Sequence, residues 1–245
     1  MAIFDGQDMV FDDFNFADYF YVENVRRPLL PPIENYYTPT GEQTYHRKAR
    51  RGVYTLEIDI RLIRKERLDV IELKRMLAGK LYKDKPCKLF ARGDWRFDMA
   101  ILDGEVNFEQ LHRTGFATLT FLVFGPSFGK FREPIVRDIA HNTGTAQTWP
   151  VIKINPDSQQ PRIVVENRTT GEKITIDRVI PAGSTVQIGR YTDDMSYEQI
   201  VLLDGSSIMG SLWYDSEFPR LKPGDNAFTI TGAPSAQMTY WERWL

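Results

Sequence analysis

Cysteine is nearly absent from this 245-residue chain, where Cys87 stands alone. One cysteine forms no intramolecular disulfide and no Cys-x-x-Cys site, which excludes a disulfide framework and the thiol-based zinc and redox motifs. Histidine is scarce too. His46, His112 and His141 lack His-x-x-His spacing, so no metal centre is read. There is no Gly-x-Gly-x-x-Gly or Walker A sequence to cradle phosphates, and no cofactor is expected. Apolar runs such as Phe121 to Phe124 are far shorter than the roughly 20 residues that span a membrane. The first 22 residues interleave aromatics with Asp5, Asp8, Asp12, Asp13 and Asp18. They have neither the positive start nor the clean apolar stretch of a signal peptide, so the chain is expected to be made and folded in a cytoplasm.

Net charge is also nearly missing. Lys and Arg total 31 against 33 Asp and Glu, a formal charge of -2. That balance excludes a polybasic nucleic-acid binder, and 42% hydrophobic against 26% charged residues excludes a disordered chain. The small total conceals three blocks. Residues 1–45 hold 2 basic and 8 acidic residues, residues 46–92 hold 15 and 6, and the remainder hold 14 and 19. The basic block contains His46, Arg47, Lys48, Arg50 and Arg51. It reads either as a solvated loop and strand face or as one half of an acidic-to-basic contact between subunits.

What is present reads mainly as β structure. Tyr54, Leu56, Ile58, Ile60 and Leu62 alternate with Thr55, Glu57, Asp59 and Arg61, the period of a half-buried strand. Shorter alternation occurs at Leu119, Phe121 and Val123 and at Ile174 and Ile176. Asn167 to Gly171 reads as a hairpin turn with a left-handed glycine. Between Glu66 and Tyr82, Val70, Leu73, Leu77 and Leu81 recur at three- and four-residue spacing, predicting one helix laid on a sheet. Pro86 forbids its continuation. Gly125-Pro126, Pro134 and the turn-like stretch from His141 to Thr145 mark a boundary, after which short strands alternate with Gly, Pro and Asp. That spacing predicts an antiparallel sandwich or jelly roll, and two domains, 1–133 and 134–245.

Gly125-Pro126-Ser127-Phe128-Gly129 fits the pattern of a nucleophile elbow. Lys130 to Glu133 is too short for the helix that must follow, and His141 lies too close to Asp138 and Ser127 for a triad, so no enzyme is expected. Asp193-Asp194 and Asp215 with Glu217 read as loop carboxylates rather than a glycosidase pair. Jelly rolls often bind sugars by ring stacking, which makes Trp213, Tyr214, Trp241 and Trp244 saccharide-stacking candidates, against a core reading of the same residues.

The ordered features resemble the siphophage distal tail protein family. The resemblance rests on Asp18-Tyr19-Phe20-Tyr21-Val22 with Val25, Arg27 and Pro28, the strand at 54–62, the helix, Pro86-Cys87-Lys88-Leu89, and Phe121 to Pro126. It continues through Asn142, Gly144 and Thr145, Trp149-Pro150-Val151-Ile152, Asn167 to Glu172, Leu221 with Pro223, Gly224 and Asn226, and Arg243-Trp244-Leu245. It implies a mainly β chain, with an N-terminal β-sandwich or split-barrel-like ring-forming domain carrying one packed helix. A galectin-like C-terminal β-sandwich follows. It further implies a homohexameric ring at the tip of a long, non-contractile tail, a hub from which tail assembly begins. The implied partners are the major tail tube protein and a tail-associated lysin, tail fibre or receptor-binding protein. No membrane and no sequence-specific nucleic acid are implied, DNA passing only in transit through the channel. The implied location is the virion tail tip, assembled in the host cytoplasm, and the length leaves no room for a sugar-binding insertion. A closed ring needs two different patches on each subunit. Arg47, Lys48, Arg50 and Arg51 on one side and Asp12 and Asp13 on the other are the expected ring or partner contacts. The alternative reading is a carbohydrate-binding module.

Overall fold

The computed structural model describes residues 9–40, 43–63, 70–91, 95–106, 111, 113–136 and 138–245. The chain forms two compact units, Met1–Ser127 and Phe128–Leu245.

In the first unit the strands are β1 (Met9–Phe11), β2 (Phe14–Asn15), β3 (Phe20–Arg26), β4 (Ile33–Thr40), β5 (Gln43–Arg51), β6 (Tyr54–Leu62), β7 (Cys87–Ala91), β8 (Asp98–Leu102) and β9 (Phe116–Val123), with helix α1 at Val70–Leu81. Seven of them form one antiparallel sheet in the order β2-β1-β7-β8-β9-β6-β3. The alternation in β6 becomes burial: Tyr54, Leu56, Ile58, Ile60 and Leu62 all point inward. Leu56 sits opposite Phe121 and Ile58 opposite Leu119 on β9, so two apolar faces coincide in register. Helix α1 covers that face with Leu73, Leu77 and Leu81, which join Phe20, Ile60 and Leu119 in one core. The expected helix start at Glu66 lies outside the described residues.

The sheet does not lie flat. Strands β1 and β9 are separated by β7 and β8, which in a flat sheet puts them about 14 Å apart. Yet the Phe11 and Phe121 rings meet edge to face at 5.2 Å. The sheet is therefore curled, with β1 brought near β9 and β3. The Phe16 N–H donates to Met9 O at 2.8 Å and the Phe20 N–H to Phe16 O at 2.9 Å, which ties the short link from β2 into β3.

In the second unit the strands are β10 (Ser127–Arg132), β11 (Ile135–Val136), β12 (Ile139–Asn142), β13 (Val151–Ile154), β14 (Ile163–Asn167), β15 (Glu172–Ile176), β16 (Val186–Tyr191), β17 (Tyr197–Leu203), β18 (Ser206–Ser207), β19 (Gly224–Thr231) and β20 (Ala236–Trp244). One sheet runs β10-β20-β13-β16-β17-β18, with β11 also on β20, and the other runs β12-β19-β14-β15. Ile152, Ile154 and Ile188 of the first sheet and Ile163, Val165 and Ile174 of the second share one core, the sandwich expected from the turn spacing. Strand β10 precedes the expected boundary at 133/134 but belongs to this unit's sheet. The turn after β14 is as expected: Gly171 has φ +79° and its N–H donates to Asn167 O at 2.8 Å. His141 and Asn142, expected in a turn, are instead the end of β12 opposite Asp225 and Gly224. The turn begins after them, because the buried Asn142 side chain accepts from the Gly144 N–H at 3.0 Å and donates to Ala146 O at 3.1 Å.

Leu77 is 4% exposed at the centre of the helix–sheet contact. Leu77→Ala should cost the first unit about 2–5 kcal/mol, read as an earlier urea midpoint for that unit's transition.

Candidate assembly surface

Among the described residues, strands β4 and β5 pair only with each other. They grow from the adjacent strands β3 and β6, whose own pairing ends with Arg26 opposite Glu57. At the base of the ribbon the Gly52 N–H donates to Pro32 O at 2.8 Å. The register runs from Ile33 opposite Arg51 to Thr40 opposite Gln43, with a bulge between Tyr36 and Tyr37. At about 3.3 Å per residue the ribbon spans roughly 26 Å. Large apolar and aromatic side chains on it face solvent: Ile33 is 54% exposed, Tyr37 58% and Tyr45 54%. Leu29, at its base, is 93% exposed. A two-stranded ribbon alone in water is marginally stable. This one is held by its own cross-strand contacts, including Arg47 Nε donating to Thr38 Oγ1 at 2.8 Å, Lys48 Nζ 5.3 Å from the centre of the Tyr36 ring, and His46 Nε2 at 3.2 Å from Asn35 Oδ1.

The basic candidates are therefore ribbon residues. Arg47, Lys48 and Arg51 are exposed along β5, and Arg50 pairs through its backbone register with Glu34. The acidic candidates are placed differently. Asp12 and Asp13, with φ of 51° and 61°, are the two residues between β1 and β2. Positive φ at both positions matches the twist of a tight hairpin, and aspartate tolerates it better than most residues. The Asp12 carboxylate pairs with Lys83 Nζ at 2.5 Å, and that hydrogen bond holds it below the usual carboxylate range. Another carboxylate of the acidic block is used inside the unit, Glu23 pairing with Arg61 at 2.7 Å, and carboxylates of the basic block, Glu57 and Asp59, bind Arg26, Glu57 at 2.8 Å.

Ser127 does not stand on a nucleophile elbow. The chain turns at Gly125, with φ +81°, and passes from strand β9 into strand β10 rather than into a helix. The Ser127 hydroxyl is buried, donates to Asp98 Oδ1 at 2.6 Å and accepts from Arg27 Nη1 at 2.9 Å. Arg27 Nη2 also donates to Asp98 Oδ2 at 2.5 Å. Burial, and next the charge of Asp98, push the nearby Tyr54 hydroxyl up to about 12. These residues form a buried polar lock at the foot of the ribbon. His141 Nδ1 instead meets Asp225 Oδ1 at 2.6 Å. Among the described residues no three His, Cys, Asp or Glu side chains converge on a metal-sized site; His112 lies outside them. Asp194 accepts from Thr192 and from the Ser196 N–H, the bonds of a turn, and Asp215 lies 3.6 Å from Lys173.

Trp213 and Tyr214 are 42% and 91% exposed, with ring centres 5.8 Å apart. Trp241 packs on Phe131 at 5.0 Å and Trp244 is half-buried. Sequence reasoning missed the ribbon itself. Its usable signal was the pair of Tyr- and Thr-rich stretches flanking Gly41, since neither stretch alternates apolar with polar.

Tyr54 generates a pH expectation. Its folded pKa lies above the unfolded 10.0, so its contribution to stability is complete below pH 10 and is lost as pH rises toward about 12. The first unit should lose about 3 kcal/mol over that window, followed by urea unfolding at stepped pH. Tyr54→Phe should flatten the loss.

Residues 143–244 match the model of the siphovirus-type tail component, C-terminal domain. No curated protein sequence matches the chain. Among solved structures, the Dit protein of phage SPP1 is similar over 97% of this chain and 99% of its own, with a TM-score of 0.76 and 16% identity. Chains of the phage p2 baseplate in its activated conformation are similar at TM-scores of 0.52 with Sr and 0.53 with Ca, each at 8% identity. They cover 96% and 97% of this chain and 98% of their own. Residues 143–244 thus resemble the siphovirus-type tail component C-terminal domain, and the whole chain has the mainly β fold seen in SPP1 Dit.

Proposed function

We propose that this protein is the structural hub of the distal tail of a long-tailed, non-contractile bacteriophage. In this reading six copies form a ring at the virion tail tip that joins the tail tube to the adsorption apparatus and nucleates tail assembly. The observation that carries it is similarity along nearly the full length of both chains to SPP1 Dit, described as a paradigm of the hub of the adsorption apparatus in phages infecting Gram-positive bacteria. No catalytic role is assigned. The major tail tube protein and a tail-associated lysin, tail fibre or receptor-binding protein are the proposed partners, with assembly in the host cytoplasm.

The ribbon β4–β5 gives this reading a physical means. A ring closes through heterologous contacts, in which one patch meets a different patch on the next copy. An exposed ribbon of about 26 Å, aromatic and basic, is such a patch, and laying it on a neighbour buries Tyr37 and Tyr45. Because Asp12 already pairs with Lys83, the aromatic side chains carry the contact and the basic ones steer it.

Negative-stain images of the purified chain should show hollow six-fold rings; monomers at every concentration would sink the proposal. Tyr37→Ser combined with Tyr45→Ser should reduce the ring fraction at least about tenfold by light scattering, with the protomer's melting temperature unchanged. Arg47→Glu with Lys48→Glu should act less strongly, and its effect should shrink in high salt.

A further inference from the structure

The second unit carries a surface feature apart from the ribbon proposed to close the ring. The stretch 211–217 runs along β15, the outer strand of its sheet. The Asp177 N–H donates to Ser211 O at 2.8 Å, the Trp213 N–H to Thr175 O at 2.9 Å and the Glu217 N–H to Lys173 O at 2.7 Å. The Thr175 N–H donates to Ser216 Oγ at 3.1 Å. The backbone under Trp213 and Tyr214 is thereby fixed to a sheet; the Tyr214 ring is 91% exposed, and Trp213, 42% exposed, carries Arg162 over one face. A rigid backbone that presents an exposed ring lowers the entropic cost of stacking a ligand.

The surroundings narrow the ligand. The two rings are inclined at 42°, so they open as a shallow V. Arg162 lies 5.6 Å from the centre of the Trp213 ring and is held there by Asp177, to which its Nε and Nη2 donate at 3.0 and 2.7 Å. Lys173 and Asp215 form a second, looser pair at 3.6 Å. All four charged side chains are about half exposed, at 39% to 50%, and keep hydrogen-bonding capacity toward solvent. The two pairs cancel, which gives no net attraction for a polyanion such as a phosphate polymer. The charged rim also breaks up the continuous dehydrated apolar area that the centre of a protein–protein interface requires. What fits is a molecule with one apolar C–H face and a ring of neutral hydroxyls.

We propose that Trp213 and Tyr214 form a stacking platform for a neutral saccharide, with Arg162 and Asp177 as its hydrogen-bonding rim. The test is titration of the full chain with glucose, galactose, N-acetylglucosamine and, for contrast, glycerol 3-phosphate, following tryptophan emission and heat. At least one neutral sugar should bind in the millimolar range, and about tenfold more weakly in Tyr214→Ala and Asp177→Asn. Both variants alter exposed side chains, and unchanged melting temperatures would confirm that each is folded. Several outcomes overturn the proposal: no response to any neutral sugar up to about 100 mM, equal binding by both variants, or preference for glycerol 3-phosphate. Loss of tail-partner attachment in Tyr214→Ala without any sugar response would identify a protein contact instead, and would overturn it too.

Discussion

Unpaired backbone at strand edges is the constraint to which most of this structure answers. A chain built almost wholly of strands leaves rows of N–H and C=O groups at the margins of its sheets, and those rows must be paired, covered or made unattractive. The first unit curls its sheet and ends it on one side with the two-residue strand β2. The second lays the stretch 211–217 along β15 and satisfies its backbone there. The ribbon β4–β5 forms a two-stranded sheet of its own among the described residues. The two proposed recognition surfaces follow from this: one is the ribbon, and the other stands on the segment that covers an edge.

Buried charge follows a second rule. Asp98, Glu172 and Glu242 are 2%, 5% and 1% exposed, and each is met by an arginine nearer the surface, Arg27, Arg220 and Arg132 respectively. Taking a carboxylate out of water is tolerable only with a well-placed partner. These pairs span 71, 48 and 110 residues of sequence, so they bind distant stretches of the chain together. They act as locks on the fold rather than as chemistry, and Ser127 is part of one of them.

Legibility in the sequence followed the number of faces that each element buries. Strand β6 and helix α1 each bury one face, and their periods of two and 3.6 were plain. The ribbon buries neither face within the protomer, so no period marks it, and its basic residues were readable only as charge. Asp12 and Asp13 were read as an acidic patch, because a tight turn without glycine leaves no signature except two left-handed aspartates. Gly-x-Ser-x-Gly was set aside for the lack of a following helix. The five residues matched, and the strand that follows, fixed by pairing with β20 more than a hundred residues away, was invisible locally. Trp213 and Tyr214 were visible as aromatics, whereas their exposure depended on the edge-covering path of the backbone.

In the proposed ring, the bare ribbon gives closure a thermodynamic meaning. In an open chain of copies, whatever its length, the terminal copy always keeps one ribbon in water, along with its exposed tyrosines. A closed circle is the only arrangement with no terminal copy. Closure of the proposed ring therefore removes a fixed penalty that no lengthening removes and disfavours partial arcs and open filaments, while the rotation between neighbours sets the number of copies.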